Sequence, residues 1–246
     1  MEEISGSKRL IFALDVDGYD EAMKWVGKLR GSVLFYKIGK QLFTACGPKI
    51  VKDIISSGCK VFLDLKYHDI PNTVSSAAIE AAKLGVSIFT LHASGGRAMV
   101  EETCSKVRDY CNKNGKVPPL VAAVTVLTSL SAKDLLDIGV KASPEEQVLR
   151  LAGLAVSAGA GAIVCSPLEI SPLRKSIGGD FKIITPGIRP AEGRKSDDQK
   201  RVMCAGDAIS AGADFLVIGR PIKDSPDPLS VVKALAAEIE SAEKLK

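Results

Sequence analysis

The residues best suited to chemistry lie in Asp64-Leu65-Lys66-Tyr67-His68-Asp69-Ile70-Pro71-Asn72-Thr73, where two carboxylates bracket an ammonium at the end of an apolar run. A β-strand points alternate side chains to one face, so Asp64 and Lys66 are expected to share a face. With Lys37 from the preceding apolar run they can form an alternating Lys37-Asp64-Lys66-Asp69 array in which each charge holds its neighbours. Such an array suits stabilisation of developing charge and delivery of a proton. The competing reading is a surface salt-bridge cluster, and placement decides between them.

A second constellation is Thr185-Pro186-Gly187-Ile188-Arg189-Pro190, paired with Ile218-Gly219-Arg220-Pro221. Glycine lets backbone N–H groups approach an anion closely, and a guanidinium offers a planar fork that fits phosphate oxygens. Each fragment alone is a common turn. Together, after the last two apolar runs, they predict a phosphate site.

The elements that must position these residues follow from periodicity. Eight short apolar runs recur: Leu10 to Leu14, Val33 to Ile38, Val61 to Leu65, Ser87 to Leu91, Leu120 to Val124, Ala162 to Cys165, Lys182 to Ile184 and Phe215 to Ile218. Between them lie segments with helical spacing, among them Asp20 to Leu29, Pro48 to Ile55, Val74 to Leu84, Arg97 to Cys111, Pro144 to Ala158 and Leu229 to Ala242. Strand and helix in strict alternation specify a parallel α/β fold. Eight pairs without a break in composition fit a closed (β/α)8 TIM barrel, with a doubly wound open sheet as the alternative. The 246 residues suit one such domain, spanning 1–246. A barrel gathers its chemistry where strands end, and the residues at those ends are Asp15, Lys37, Asp64 with Lys66, His92, Thr125 with Thr128, Ser166, Arg189 and Arg220.

Composition narrows the class. The 33 Lys and Arg exceed the 29 Asp and Glu by four and are scattered, so a nucleic-acid surface is not expected. The six cysteines form no close C-x-x-C pair, and the chain has only two histidines, His68 and His92, so no metal site is expected. His92 reads as a polar strand-end residue, His68 as loop support, and Cys165 and Ser166 as packing and turn, since no positioned base accompanies them. Leu151 to Pro167 carries no charge, but Gly153, Gly159 and Gly161 split it into helix, turn and strand rather than a membrane span. The start, Met-Glu-Glu-Ile-Ser-Gly, lacks the basic and apolar regions of a secretory signal, so a cytoplasmic protein with reduced thiols is expected.

The sequence resembles the orotidine 5′-phosphate decarboxylase family, of the compact bacterial type. The resemblance runs through Ala13-Leu14-Asp15, Tyr36-Lys37-Ile38-Gly39, Asp64 to Thr73, Leu91-His92-Ala93, Val124 to Ser129, Val164-Cys165-Ser166, Thr185 to Pro190 and Ile218 to Pro221. It implies a homodimer that converts orotidine 5′-monophosphate to UMP, the last step of de novo pyrimidine nucleotide synthesis, with no metal or organic cofactor. Lys66 would protonate C6 of the pyrimidine as CO2 leaves, Asp64 would lie near the departing carboxylate, and Lys37 would orient the array and the ribose. Asp69 would arrive from the partner subunit, with Ile70 and Thr73 completing the shared site. Asp15 would bind the ribose, and Thr128, with Ser129 beside it, would meet the pyrimidine edge. Arg189, Gln199, Gly219 and Arg220 would hold the phosphate and close the mouth, Pro190 to Gln199 forming a lid that departs from the family pattern at Glu192, Arg194 and Lys195.

Decarboxylation at a ring carbon leaves a carbanion without the electron sink a cofactor would supply, so its charge must be stabilised electrostatically by groups already in place. Two rivals remain. One is a Mg2+-dependent decarboxylase or aldolase of the same barrel group acting on a sugar phosphate, whose members share the D-x-K-x-x-D pattern but not His68, Ile70 to Thr73 and the two arginine loops. The other is a non-catalytic phosphate-ligand barrel, which the intact charged set argues against.

Overall fold

The structure, a computed structural model, describes residues 5–189 and 203–244. Eight parallel strands close into a barrel in chain order, with β1 paired to both β2 and β8, so the sheet has no edge and the open-sheet alternative is overturned. After a 3-10 turn at Ser5–Arg9, the elements run β1 (Leu10–Ala13), α1 (Tyr19–Leu29), β2 (Phe35–Gly39), α2 (Lys40–Cys46), α3 (Pro48–Ser56), β3 (Lys60–Tyr67) and α4 (Pro71–Leu84). Next come β4 (Ile88–His92), α5 (Arg97–Lys113), β5 (Leu120–Val124), α6 (Ala132–Asp137), α7 (Pro144–Ser157), β6 (Ala162–Val164) and α8 (Ile170–Ser176). The chain closes with β7 (Lys182–Pro186), α9 (Ala205–Ala211), β8 (Phe215–Ile218), α10 (Arg220–Lys223) and α11 (Pro228–Glu243). Every strand overlaps one of the eight expected runs.

Strand alternation builds two cores. Ile11 and Ala13, Phe35, Phe62, Ile88, Ala122, Ala162, Ile184 and Val217 point inward, at least one from each strand, and fill the barrel. Their neighbours, among them Phe12, Tyr36, Leu63, Phe89, Ala123, Ile163, Ile183 and Leu216, point outward against the helices. Truncating a fully buried ring such as Phe89 to alanine should cost about 3–5 kcal/mol, which is the kind of packing that keeps the strand ends fixed.

Local signals set the helix starts. Ser143 Oγ accepts from the Glu146 backbone N–H at 3.2 Å while Glu146 accepts from the Ser143 N–H at 2.8 Å, a reciprocal cap at the start of α7. Proline opens α3, α4 and α7, where its missing N–H costs nothing. Pro71 thereby turns the chain away from the barrel mouth directly after the charged segment of β3. The uncharged stretch from Leu151 resolves into the end of α7, a turn and β6, and among the described residues no helix is long and apolar enough to cross a membrane.

Candidate active site

A cavity of about 260 Å³ opens at the carboxyl ends of the strands. It has two unlike walls. On the β1–β3 side stand Asp15, Lys37, Asp64 and Lys66, and on the β5–β8 side Val124, Val164, Pro186 and Val217, above a floor that includes Ala13 and Phe62. Thr128, Arg189, Gly219 and Arg220 line the same space. Of the expected charged set, Lys37, Asp64 and Lys66 lie in a barrel mouth rather than on an open surface, and Asp69 does not join them.

Inward alternation along β3 carries Phe62, Asp64 and Lys66 to the interior while Leu63, Leu65 and Tyr67 pack outward. Lys66 Nζ lies 2.8 Å from both Asp64 oxygens, and Lys37 Nζ lies 3.8 Å from Asp64 Oδ2 and 3.0 Å from Asp15 Oδ1. The chain thus builds Asp15–Lys37–Asp64–Lys66, two charges of each sign. Burial alone would raise the Asp64 carboxyl, but the Lys37 and Lys66 charges, with hydrogen bonds from Lys66 and Thr90, outweigh it and hold the group below the ordinary carboxylate range. Asp64 is therefore an anion at neutral pH.

The backbone around the pair is irregular. The β3–β4 register passes from Leu63 opposite Phe89 to Tyr67 opposite Leu91, and Lys66 is the only non-glycine residue with positive φ, at 53°, among the described residues. Thr90 closes this gap, accepting from the Lys66 N–H at 2.8 Å and donating to Asp64 Oδ1 at 3.0 Å. Sequence reading passed over Thr90. Its one signal is a hydroxyl inside the apolar run Ile88-Phe89-Thr90-Leu91.

Close approach explains two glycines at the mouth. A Cβ at Gly39 would lie 3.3 Å from Lys37 Nζ, and one at Gly219 would lie 3.2 Å from the Ala13 Cβ and 3.6 Å from Asp15 Oδ2. Gly219 thus lets β8 end against β1 with Arg220 immediately following. Lys223 Nζ ties this corner down by donating to the Asp15 carbonyl at 3.0 Å. Arg189 Nη1 donates to the Ile188 carbonyl at 2.9 Å, and the Arg189 N–H donates to the Met203 carbonyl at 3.0 Å, which holds these two residues together.

Other expected residues lie elsewhere. Asp69, Ile70 and Thr73 are exposed and do not line their own chain's cavity; Ile70 is 66% exposed, and its N–H is held by Asp69 Oδ1 at 2.6 Å. Gln199 and the proposed lid, Pro190 to Gln199, fall outside the described residues. Thr125 is buried and donates to the Val164 carbonyl at 3.2 Å, so of the two threonines only Thr128 faces the cavity. His92 stacks near His68, ring centres 5.3 Å apart, and burial, with the nearby His68, Lys66 and Lys40 charges, pulls it down to about 4 against a weaker opposing pull from Asp64. It is neutral at pH 7. Burial pushes the Cys165 thiol up, in keeping with packing rather than nucleophilic work. Val126 and Leu127, which sequence reading did not single out, complete the apolar wall.

Residues 8–235 match the model of the Orotidine 5′-phosphate decarboxylase / HUMPS family. The chain is 50% identical over 239 residues to orotidine 5′-phosphate decarboxylase of Syntrophotalea carbinolica, covering 97% of this chain and 98% of that one. It is 51% identical over 231 residues to the enzyme of the same name from Haemophilus ducreyi, covering 94% and 98%. The crystal structure of orotidine 5′-phosphate decarboxylase from Lactobacillus acidophilus superposes with a TM-score of 0.83 at 37% identity, covering 94% of this chain and 99% of that one. Matched along nearly its whole length by relatives that carry the same name, this chain belongs to the Orotidine 5′-phosphate decarboxylase / HUMPS family.

Proposed function

We propose that residues 1–246 form one catalytic domain that removes CO2 from orotidine 5′-monophosphate to give UMP, without a metal or organic cofactor. The observation that carries this reading is the Lys66–Asp64 pair, 2.8 Å apart, on the charged wall of a cavity whose opposite wall is apolar and which Arg189 and Arg220 line. A pyrimidine ring lies against the apolar wall, with its C6 carboxylate toward Asp64 and Lys66. Thr128 meets the ring edge, Asp15 and Lys37 bind the ribose, and Arg189, Gly219 and Arg220, together with Gln199, take the phosphate.

In the reaction the C6–carboxyl bond breaks, CO2 departs and the electron pair stays on C6. The Lys66 ammonium faces that pair, stabilises it and transfers one Nζ proton to it, after which solvent reprotonates the amine. Because Asp64 fixes the ammonium beforehand, little reorganisation accompanies charge development. Asp64 also repels the substrate carboxylate, a smaller contribution than preorganisation. Phosphate binding, remote from C6, supplies energy for closing the mouth and positioning the ring.

The same reading makes the protein a cytoplasmic homodimer in which Asp69 reaches the partner's site, with Ile70 and Thr73 beside it. Its support is that Asp69 and Ile70 are exposed at the mouth yet outside their own cavity. One assay tests the activity: loss of orotate-ring absorbance on adding orotidine 5′-monophosphate in the presence of a chelator. Turnover of a sugar phosphate with Mg2+, and none of the nucleotide, would overturn it.

A further inference from the structure

Three residues of β3, Asp64, Leu65 and Lys66, stand opposite Thr90 alone on β4, because the paired positions on either side are Leu63 with Phe89 and Tyr67 with Leu91. A bulge of this kind re-aims a side chain, and it interrupts the ladder that would otherwise hold the backbone. It also places Lys66 at φ 53°, a left-handed conformation that an L-residue with a long side chain enters only under constraint. The constraint visible at this point is one hydroxyl. Thr90 Oγ1 accepts the Lys66 N–H at 2.8 Å, replacing the missing ladder bond, and donates its own proton to Asp64 Oδ1 at 3.0 Å.

We propose that Thr90 is a positioning residue for proton delivery, setting the backbone of Lys66 and the plane of the Asp64 carboxylate through that single hydroxyl without touching the substrate. This rests on the reading of Lys66 as the proton donor. Thr90 is fully buried and does not line the cavity, so its action passes through the two residues that do. Asp64 Oδ1 receives both the Thr90 hydroxyl and Lys66 Nζ, while Oδ2 faces Lys66 Nζ at 2.8 Å and Lys37 at 3.8 Å. Holding Oδ1 from behind keeps both oxygens turned toward Lys66. The position needs a group that both accepts and donates, because an ionised carboxylate only accepts and a backbone N–H only donates, and the threonine hydroxyl does both through one atom. Valine has the shape of threonine and can do neither.

The test compares Thr90→Val with Thr90→Ser in the full-length protein. Thr90→Val should lower kcat for orotidine 5′-monophosphate about 10- to 100-fold, the range of a lost hydrogen bond to a charged group. KM and UMP affinity should stay within about threefold, because the cavity lining is untouched. Thr90→Ser should recover kcat to within about threefold of wild type. A purely structural role would lower the yield or the melting temperature of both variants without this split between kcat and KM or the rescue by serine. If Thr90→Val does not fold, Thr90→Cys, a poor hydrogen-bonding group of similar size, takes its place in the comparison. Wild-type kcat in the hydroxyl-free variant, or serine as impaired as valine, overturns the proposal. Crystal structures of the ligand-free variants give a readout independent of substrate. The two-oxygen contact between Lys66 and Asp64 should be lost in Thr90→Val and kept in Thr90→Ser, and its persistence in Thr90→Val overturns the proposal. A wild-type protein inert toward the nucleotide would instead sink the decarboxylase reading, leaving the crystal comparison to decide the role of Thr90.

Discussion

Replacing Lys66 with alanine removes an ammonium that sits 2.8 Å from both oxygens of Asp64. On the proposed reading of Lys66 as proton donor and charge stabiliser, two catalytic contributions vanish together. A positioned general acid is worth roughly 10²- to 10⁴-fold, and a preorganised charge facing the developing carbanion roughly another 10²- to 10³-fold. Because one group supplies both, the factors do not simply multiply, and a loss in kcat of at least about 10⁴-fold is expected. The fold should survive. Breaking a buried ion pair by deleting one partner costs about 3–5 kcal/mol when nothing else compensates. Here Lys37 at 3.8 Å and the Thr90 hydroxyl at 3.0 Å still face Asp64, so about 1–3 kcal/mol is expected, a fall of roughly 2–12 °C in Tm for a chain of this size.

The sign of the pH dependence follows from Asp64, whose folded carboxyl is held below its ordinary value of 3.8. A depressed carboxyl contributes stability that is present above the unfolded value and lost as pH falls through the folded one. Without Lys66 much of that depression goes, so the stability gap between variant and wild type should narrow as pH drops below 3.8. The assay set is absorbance decay for turnover, UMP titration for binding, circular dichroism for fold, and urea unfolding across pH. A kcat within tenfold of wild type would refute the assignment of Lys66. An unfolded variant would refute the compensation by Lys37 and Thr90, and Lys66→Met, which keeps the side-chain stem, would then carry the kinetic comparison.

Arg220→Ala should weaken UMP about 10- to 100-fold while leaving uridine nearly unchanged, since only the nucleotide presents a phosphate; equal losses in titration calorimetry would remove Arg220 from the phosphate site. His92, pulled down from 6.5 to about 4 chiefly by burial, makes the folded state harder to protonate than the unfolded chain. Stability should therefore fall as pH drops from 6.5 toward 4, by about 1 kcal/mol once solvent screening of this half-buried ring is allowed for, and His92→Gln should flatten that slope in urea titrations. Mixing Lys66→Ala with Asp69→Ala subunits should restore roughly a quarter of wild-type activity if Asp69 acts in the partner's site, because half the dimers are hybrids with one intact site each. No recovery after verified subunit exchange would place Asp69 in its own subunit.

The barrel and most of its mouth were legible because both rest on repetition. Eight apolar runs fixed the strands, and polar residues at their ends gave Asp15, Lys37, Asp64, Lys66, Thr128, Arg189 and Arg220. The short helices α2, α6, α8, α9 and α10 went unseen, since none exceeds seven residues and a 3.6-residue period needs a longer window to show. Strand β3 runs on to Tyr67, past the apolar run, because its last residues are held by Thr90 across a bulge rather than by a regular ladder. A register slip leaves no trace in a single strand's pattern. Asp69 illustrates a different limit: three positions from Lys66, it is carried out of the cavity by the turn that leads into Pro71 and α4. Adjacency in sequence does not say which site a side chain serves.

The division of the cavity into a charged and an apolar wall follows from which strands carry polar inward residues near their ends. Strands β1 to β3 present Asp15, Lys37, Asp64 and Lys66 at or just past their ends, whereas β5 to β8 present Val124, Val164, Pro186 and Val217. The apolar half keeps water and competing dipoles away from the ionic half, and charges interact more strongly where the surroundings are less polarisable. The array can be held there because its two ammoniums and two carboxylates balance, and Asp64, the more enclosed of the two carboxylates, is contacted by Lys66, Lys37 and Thr90 together. A substrate carboxylate brought against that wall adds a third negative charge beside two positive ones. In the proposed reaction, loss of CO2 removes the carboxylate and leaves the charge on carbon facing Lys66, and transfer of one proton then discharges both carbanion and ammonium. Moving a proton within the site leaves its net charge unchanged, so in the proposed reaction the balance disturbed by substrate returns only when solvent reprotonates Lys66.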